Sequence, residues 1–132
     1  MEDYMEGFTR ESEEKKTLLI VEDDKHVLSM MKEYFEYLGY NVISASDGMD
    51  GLKMIKSENY DLLITDIVMP YISGLGLISL LKKKYPDIPA IAVTGYGKNL
   101  EKLASEKRAD VVLRKPFTME ILINHVHKLL ED

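Results

Sequence analysis

Five residues capable of chemistry stand at the ends of short apolar runs: Glu22 and Asp23 after one run, Asp66 after another, then Thr94, then Lys115 behind Arg114. Asp24 follows directly behind the first pair. Carboxylates sharing one crevice repel one another, which raises their pKa values and weakens the fold unless a cation binds. Hard oxygen donors with no Cys or His beside them favour Mg²⁺, which takes one or two carboxylates together with phosphate oxygens. Lys115 is then free to pair with an anion, and Thr94 can donate its hydroxyl to it. The set reads as a phosphoryl site in which Asp66 is either a metal ligand only or also a nucleophile forming an aspartyl phosphate.

Such a site requires elements that bring distant positions together. The apolar runs are Leu18 to Val21, Asn41 to Ser44, Leu62 to Thr65, Ala90 to Val93 and Val111 to Leu113, the pattern of strands covered on both faces. Helical spacing fills the intervals. Val27, Met31, Tyr34, Phe35 and Leu38 predict a first helix closed by Gly39, and Met49, Leu52 and Ile55 a short second one. Leu77, Ile78, Leu81 and Tyr85 predict a third helix ending before Pro86. Leu100, Leu103 and Ala104 mark a weakly apolar fourth, and a fifth opens at the N-cap Thr118 and buries Leu122, Val126 and Leu129. Strict alternation implies an α/β, doubly wound, five-stranded parallel sheet of order 2-1-3-4-5, a flavodoxin-like (βα)5 fold. Its ligand crevice lies outside the carboxyl ends of strands one and three.

The chain has 132 residues, room for one domain. We divide it into an acidic tail, 1–16, and a folded unit, 17–132. The tail carries Glu2, Asp3, Glu6, Glu11, Glu13 and Glu14, shows no sustained apolar period and accounts for half of the net charge of −6. That charge disfavours nucleic acid as a direct partner. The absence of cysteine removes thiolate metal sites and Cys nucleophiles. No apolar stretch approaches the ~20 residues needed to cross a bilayer, and no signal-peptide pattern opens the chain, so a cytoplasmic protein without membrane contact is expected. His26, His125 and His127 read as surface residues, Met30, Met31, Met49 and Met54 as core filler, and Lys82 to Lys84 as a solvated helix end.

Four segments together, Leu19-Ile-Val-Glu22-Asp23-Asp24, Leu63-Ile-Thr-Asp66-Ile-Val-Met-Pro70 with Gly74, Val93-Thr94-Gly95 and Lys115-Pro116-Phe117, resemble the receiver domain of two-component response regulators over about Thr17 to Leu130. The resemblance implies a stand-alone, chemotaxis-type receiver that is a stoichiometric phosphoacceptor rather than an enzyme. Asp66 takes the phosphoryl group from a sensor histidine kinase or a phosphotransfer protein. Asp23 ligates Mg²⁺ directly (Mn²⁺ can substitute), Glu22 acts through water, and the Val68 backbone carbonyl completes the protein ligands. Thr94 and Lys115 bind the phosphoryl group, with a cis bond between Lys115 and Pro116. Helix four, strand five and helix five form the face for a downstream protein, in a monomer or weak homodimer.

The chain departs from the family pattern at Val112, where Tyr or Phe often stands as a switch coupled to the threonine; Tyr96 is the candidate substitute. Lys107-Arg108-Ala109 occupies a position where a small turn residue is usual. Val68 and Tyr96 flank the path of the hydrolytic water without a group suited to activate it, which predicts slow self-dephosphorylation. Two alternatives stay open: a pseudo-receiver that works without phosphorylation, and an Mg²⁺-dependent phosphatase, for which Val68 stands where a general acid is needed.

Overall fold

The computed structural model describes residues 15–95 and 98–131. Most of the acidic tail and Tyr96 lie outside the described residues. Strands β1 (Thr17–Val21), β2 (Asn41–Ala45), β3 (Leu62–Asp66), β4 (Ala90–Thr94) and β5 (Val111–Arg114) alternate with helices α1 (Lys25–Tyr37), α2 (Gly48–Ser57), α3 (Gly74–Lys84), α4 (Lys98–Glu106) and α5 (Met119–Leu130). All neighbouring strands are parallel, in the order β2-β1-β3-β4-β5. Each predicted run lies within a strand that extends it by one residue.

Within the continuous apolar runs, successive side chains point to opposite faces of the sheet. Leu19, Val21 and Leu63 pack with Ile55, Leu77, Leu81 and Ala104, so α2, α3 and α4 cover one face. Leu18, Ile20, Leu62 and Ile64 pack with Met31, Phe35, Leu122 and Val126, so α1 and α5 cover the other. β3 and β4 are buried along their whole length. Their carboxyl ends therefore sit on a rigid base.

The helix ends follow local chemistry. Asp24 caps α1 by accepting from the backbone N–H of His26 at 3.0 Å and of Val27 at 3.2 Å, and Gly39 (φ 99°) follows its end in the left-handed region. Thr118 caps α5 through Ile121 N–H at 3.2 Å. α3 stops at Lys84, before Pro86.

The structure corrects several side-chain expectations. Tyr34 and Leu38 are half-exposed, so the core stripe of α1 narrows to Met31 and Phe35, flanked by Val27 and Leu28. Met30 and Met49 are each 43% exposed and are not core filler. His125 and His127 are half-buried, and the His127 ring lies 5.8 Å from that of Tyr40. Lys82 is only 6% exposed: its ammonium donates to Ile88 O and to Asp110 Oδ2, both at 2.8 Å. Where a small turn residue is usual, Arg108 adopts φ 71° after α4.

Candidate functional site

The parallel register sets the site. β1 pairs with both β2 and β3, and β3 with β4, so Val21 and Asp66 end adjacent strands at the same edge of the sheet. Glu22 follows β1 directly and is tied sideways, its N–H donating to Ala45 O at 3.1 Å. Ile67 N–H donates to Val93 O at 2.9 Å, which fixes the backbone just beyond Asp66. Lys115 N–H donates to Thr94 O at 2.8 Å, and the Lys115–Pro116 peptide is cis.

Gly74 brings the loop after β3 back to this edge. Its N–H donates to Ile67 O at 2.8 Å, and a Cβ there would overlap the carbonyl oxygen of Asp66. The close approach of α3 to the Asp66 backbone thus demands glycine.

Carboxylate oxygens of Glu22, Asp23 and Asp66 all lie within 4.8 Å of one another. Glu22 is 4% exposed and Asp66 9%, whereas Asp23 is open to solvent. The Lys115 ammonium lies 3.2 Å from Asp66 Oδ2 and 3.4 Å from Glu22 Oε1. The other oxygen of Glu22 accepts the Asp24 N–H at 3.0 Å. Asp23, Asp66, Val68, Gly95 and Lys115 line a cleft of about 540 Å³. Among the described side chains, three carboxylates share the Lys115 ammonium.

The electrostatics follow from that imbalance. Burial pushes the Asp66 carboxyl above its ordinary pKa; Lys115 opposes the shift and Asp23 adds to it. Burial likewise raises Glu22, with Asp66 adding to the rise and the Asp24 N–H and Lys115 opposing it. For Lys115, burial works against the ammonium, but Asp66 and Glu22 outweigh it and hold its pKa above the usual value. A hard divalent cation among these oxygens would relieve the surplus negative charge. The donor set fits Mg²⁺.

The remaining candidate residues differ in burial. Thr94 is fully buried at the end of β4, beside the cleft-lining Gly95. Val112 is half-buried against the α2–α4 face of the core. Val68 is 45% exposed and lines the cleft. Asp24 serves the site indirectly, capping α1 while its N–H holds Glu22, a role signalled in sequence only by an acid just ahead of a helical pattern.

A sequence model of the response regulator receiver domain matches residues 18–127. The chain is 35% identical over 114 residues to the response regulator SaeR of Staphylococcus epidermidis, covering 86% of this chain and 49% of that one. It is 33% identical over 114 residues to the response regulator MprA of Mycobacterium ulcerans, again covering 86% of this chain and 49% of that one. The chain thus spans about half the length of these curated relatives. Among solved structures, the response regulator TrrA of Thermotoga maritima, in complex with Mg²⁺ and BeF, is similar with a TM-score of 0.79 and 37% identity, over 86% of this chain and 98% of that one. A CheY-like receiver domain protein from Methanospirillum hungatei has a TM-score of 0.82 and 32% identity, over 89% and 95%. The fold, the acid-lined cleft and these matches agree: the chain belongs to the response regulator receiver domain family, whose business is phosphorylation-based signalling.

Proposed function

We propose that this domain is a switch set by phosphorylation of Asp66 in an Mg²⁺-dependent reaction. The observation that carries this reading is the convergence of Glu22, Asp23 and Asp66 on one open cleft, with the single ammonium of Lys115 bridging two of them. A carboxylate oxygen of Asp66 attacks the phosphorus of a phosphohistidine on a sensor kinase or phosphotransfer protein. The new P–O bond forms as the P–N bond breaks, and the imidazole leaves and takes up a proton. Asp23, Asp66 and the Val68 carbonyl would hold the metal, with Glu22 acting through water. Bound there, Mg²⁺ supplies positive charge for the phosphoryl oxygens.

Lys115 passes from the carboxylates to the phosphoryl group, and the Thr94 hydroxyl turns towards it. The solved relative holding Mg²⁺ and BeF supports the assignment of this cleft. Signal output runs through protein contacts on α4, β5 and α5, in a monomer or weak homodimer in the cytoplasm. Among the described residues no helix is long and apolar enough to cross a membrane.

Intact mass after incubation with a small phosphodonor tests the reading. A single phosphoryl adduct that needs both Mg²⁺ and Asp66 is expected, and Asp66→Asn abolishes it. The adduct should persist, because the Val68 side chain beside the cleft offers no polar group to a hydrolytic water, and Val68→Asn should shorten its lifetime. A folded protein that takes no phosphoryl group from any donor would instead be a pseudo-receiver working by contact alone.

A further inference from the structure

α4 is the least securely seated helix on its face of the sheet. Among its described side chains only Ala104 is fully buried; Leu100 is half-buried and Leu103 is 41% exposed. Apolar packing of that extent holds a nine-residue helix weakly. Two polar ties supplement it, one near each end, and they differ in kind.

Beyond its carboxyl end, Arg108 Nη2 donates to Lys82 O at 2.9 Å. Lys82 is itself buried and fixed to Ile88 O and Asp110, so this end is tied to an immobile part of the molecule. Near the amino end, Glu101 and Arg114 form a two-point pair. Arg114 Nε donates to Oε1 at 3.0 Å and Nη2 to Oε2 at 2.7 Å. The pair is open to solvent, with side-chain exposures of 51% for Arg114 and 30% for Glu101. A planar fork of this kind is directional and lost on a small displacement, and in water it is screened by salt.

Arg114 is also the covalent neighbour of Lys115 and the register partner of Thr94 on β4. Lys115 N–H on Thr94 O closes the same stretch of backbone. The backbone that carries the guanidinium is thus joined directly to the residue that pairs with Asp66. Val112, apolar and half-buried on the same strand, has no polar atom through which its side chain could report a charge change at Asp66.

We propose that the Glu101–Arg114 pair is a salt-sensitive latch that holds the amino half of α4 against β5 while Asp66 is unphosphorylated. Phosphorylation loosens the fork, and α4 swings about its fixed carboxyl end. The resting latch stands on its own geometry; its release rests on Asp66 being the phosphoacceptor.

Amide hydrogen exchange of the full chain, read over residues 98–106, tests both halves. Glu101→Gln should exchange on the order of threefold faster there, with β4 and β5 unchanged, since exposed ion pairs contribute little more than that. The exchanged pair Glu101→Arg with Arg114→Glu should restore the original rate, and high salt should bring the unmodified chain to the Glu101→Gln rate. Beryllofluoride with Mg²⁺ should accelerate α4 exchange in the unmodified chain and leave Glu101→Gln unchanged. Equal resting rates in the two proteins would overturn the latch. Equal acceleration by beryllofluoride in both would overturn its coupling to the cleft. Absence of a bound beryllofluoride signal in ¹⁹F NMR would overturn the phosphoacceptor reading and the release with it, while the resting comparison still decides the latch.

Discussion

The sheet carries a lysine paired with carboxylate at each end, and the two ends are built to opposite purposes. At the amino end, Lys82 is 6% exposed and meets one carboxylate and one carbonyl, both at 2.8 Å. The same Asp110 oxygen accepts the Ala90 N–H at 2.8 Å, and Asp110 N–H returns a bond to Ala90 O at 2.8 Å. Here one ammonium is matched by one carboxylate through short bonds. At the carboxyl end, Lys115 is 37% exposed on its side chain and stands at 3.2 and 3.4 Å from two carboxylates, with a third nearby. That end is short of positive charge and open. A saturated cluster fixes strands and a frustrated one awaits a ligand; local charge balance and bond length separate them, although Lys and Asp occur in both.

The largest effect should come from breaking the saturated end. Asp110→Ala strands the buried Lys82 ammonium on a single carbonyl and should cost about 3 kcal/mol in denaturant unfolding, with phosphorylation of the folded protein intact. A loss below ~1 kcal/mol would mean that Lys82 escapes to solvent, and the two ends would then differ less than their geometry says.

The open end should respond in the opposite sense. Mg²⁺ at a hundred times its dissociation constant should stabilise the protein by about 2.7 kcal/mol. Without metal, Asp66→Asn should stabilise it at neutral pH, because burial in the native state disfavours the charged form of this carboxyl. The folded pKa lies above the unfolded one, so the penalty is full above the folded value and vanishes below the ordinary carboxylate range. The gap between the two proteins should therefore close as pH falls through that interval. A gap that widens on acidification would assign the strain to another group.

The smallest effect concerns the tie between α4 and the amino end. Arg108 holds φ 71° and donates to Lys82 O. Arg108→Gly relieves the backbone and loses the bond, whereas Arg108→Ala loses the bond alone, so glycine should be the more stable of the two by about 1 kcal/mol in thermal melts. Equal melting temperatures would show that the left-handed turn carries no penalty.

Much of this was legible beforehand because it rests on local rules. Five apolar runs separated by helical spacing admit few arrangements, and the residue after each strand must emerge at one edge of a parallel sheet. The candidate site could therefore be assembled from residues far apart in sequence, and the fold and family followed from the same positions. Side-chain burial was less legible. The Lys82 to Lys84 run reads as a solvated end because three lysines in the last turn of a helix are indistinguishable by type. Only the packing of α3 against the β4 and β5 starts turns the first of them inward. Met30 and Met49 failed for the complementary reason, since helical spacing defines a stripe wider than the face that the sheet covers.

By itself, then, the sequence determined the alternation of strands and helices, the cap at Thr118, and which acids and which lysine emerge at the carboxyl edge. These depend on periodicity and on bonds between residues a few positions apart. Tertiary structure alone decided that Lys115 bridges Glu22 and Asp66, that Thr94 is fully buried, and that Glu101 grips Arg114. Each of these depends on how elements distant in sequence sit against one another, which is set only when both faces of the sheet have packed.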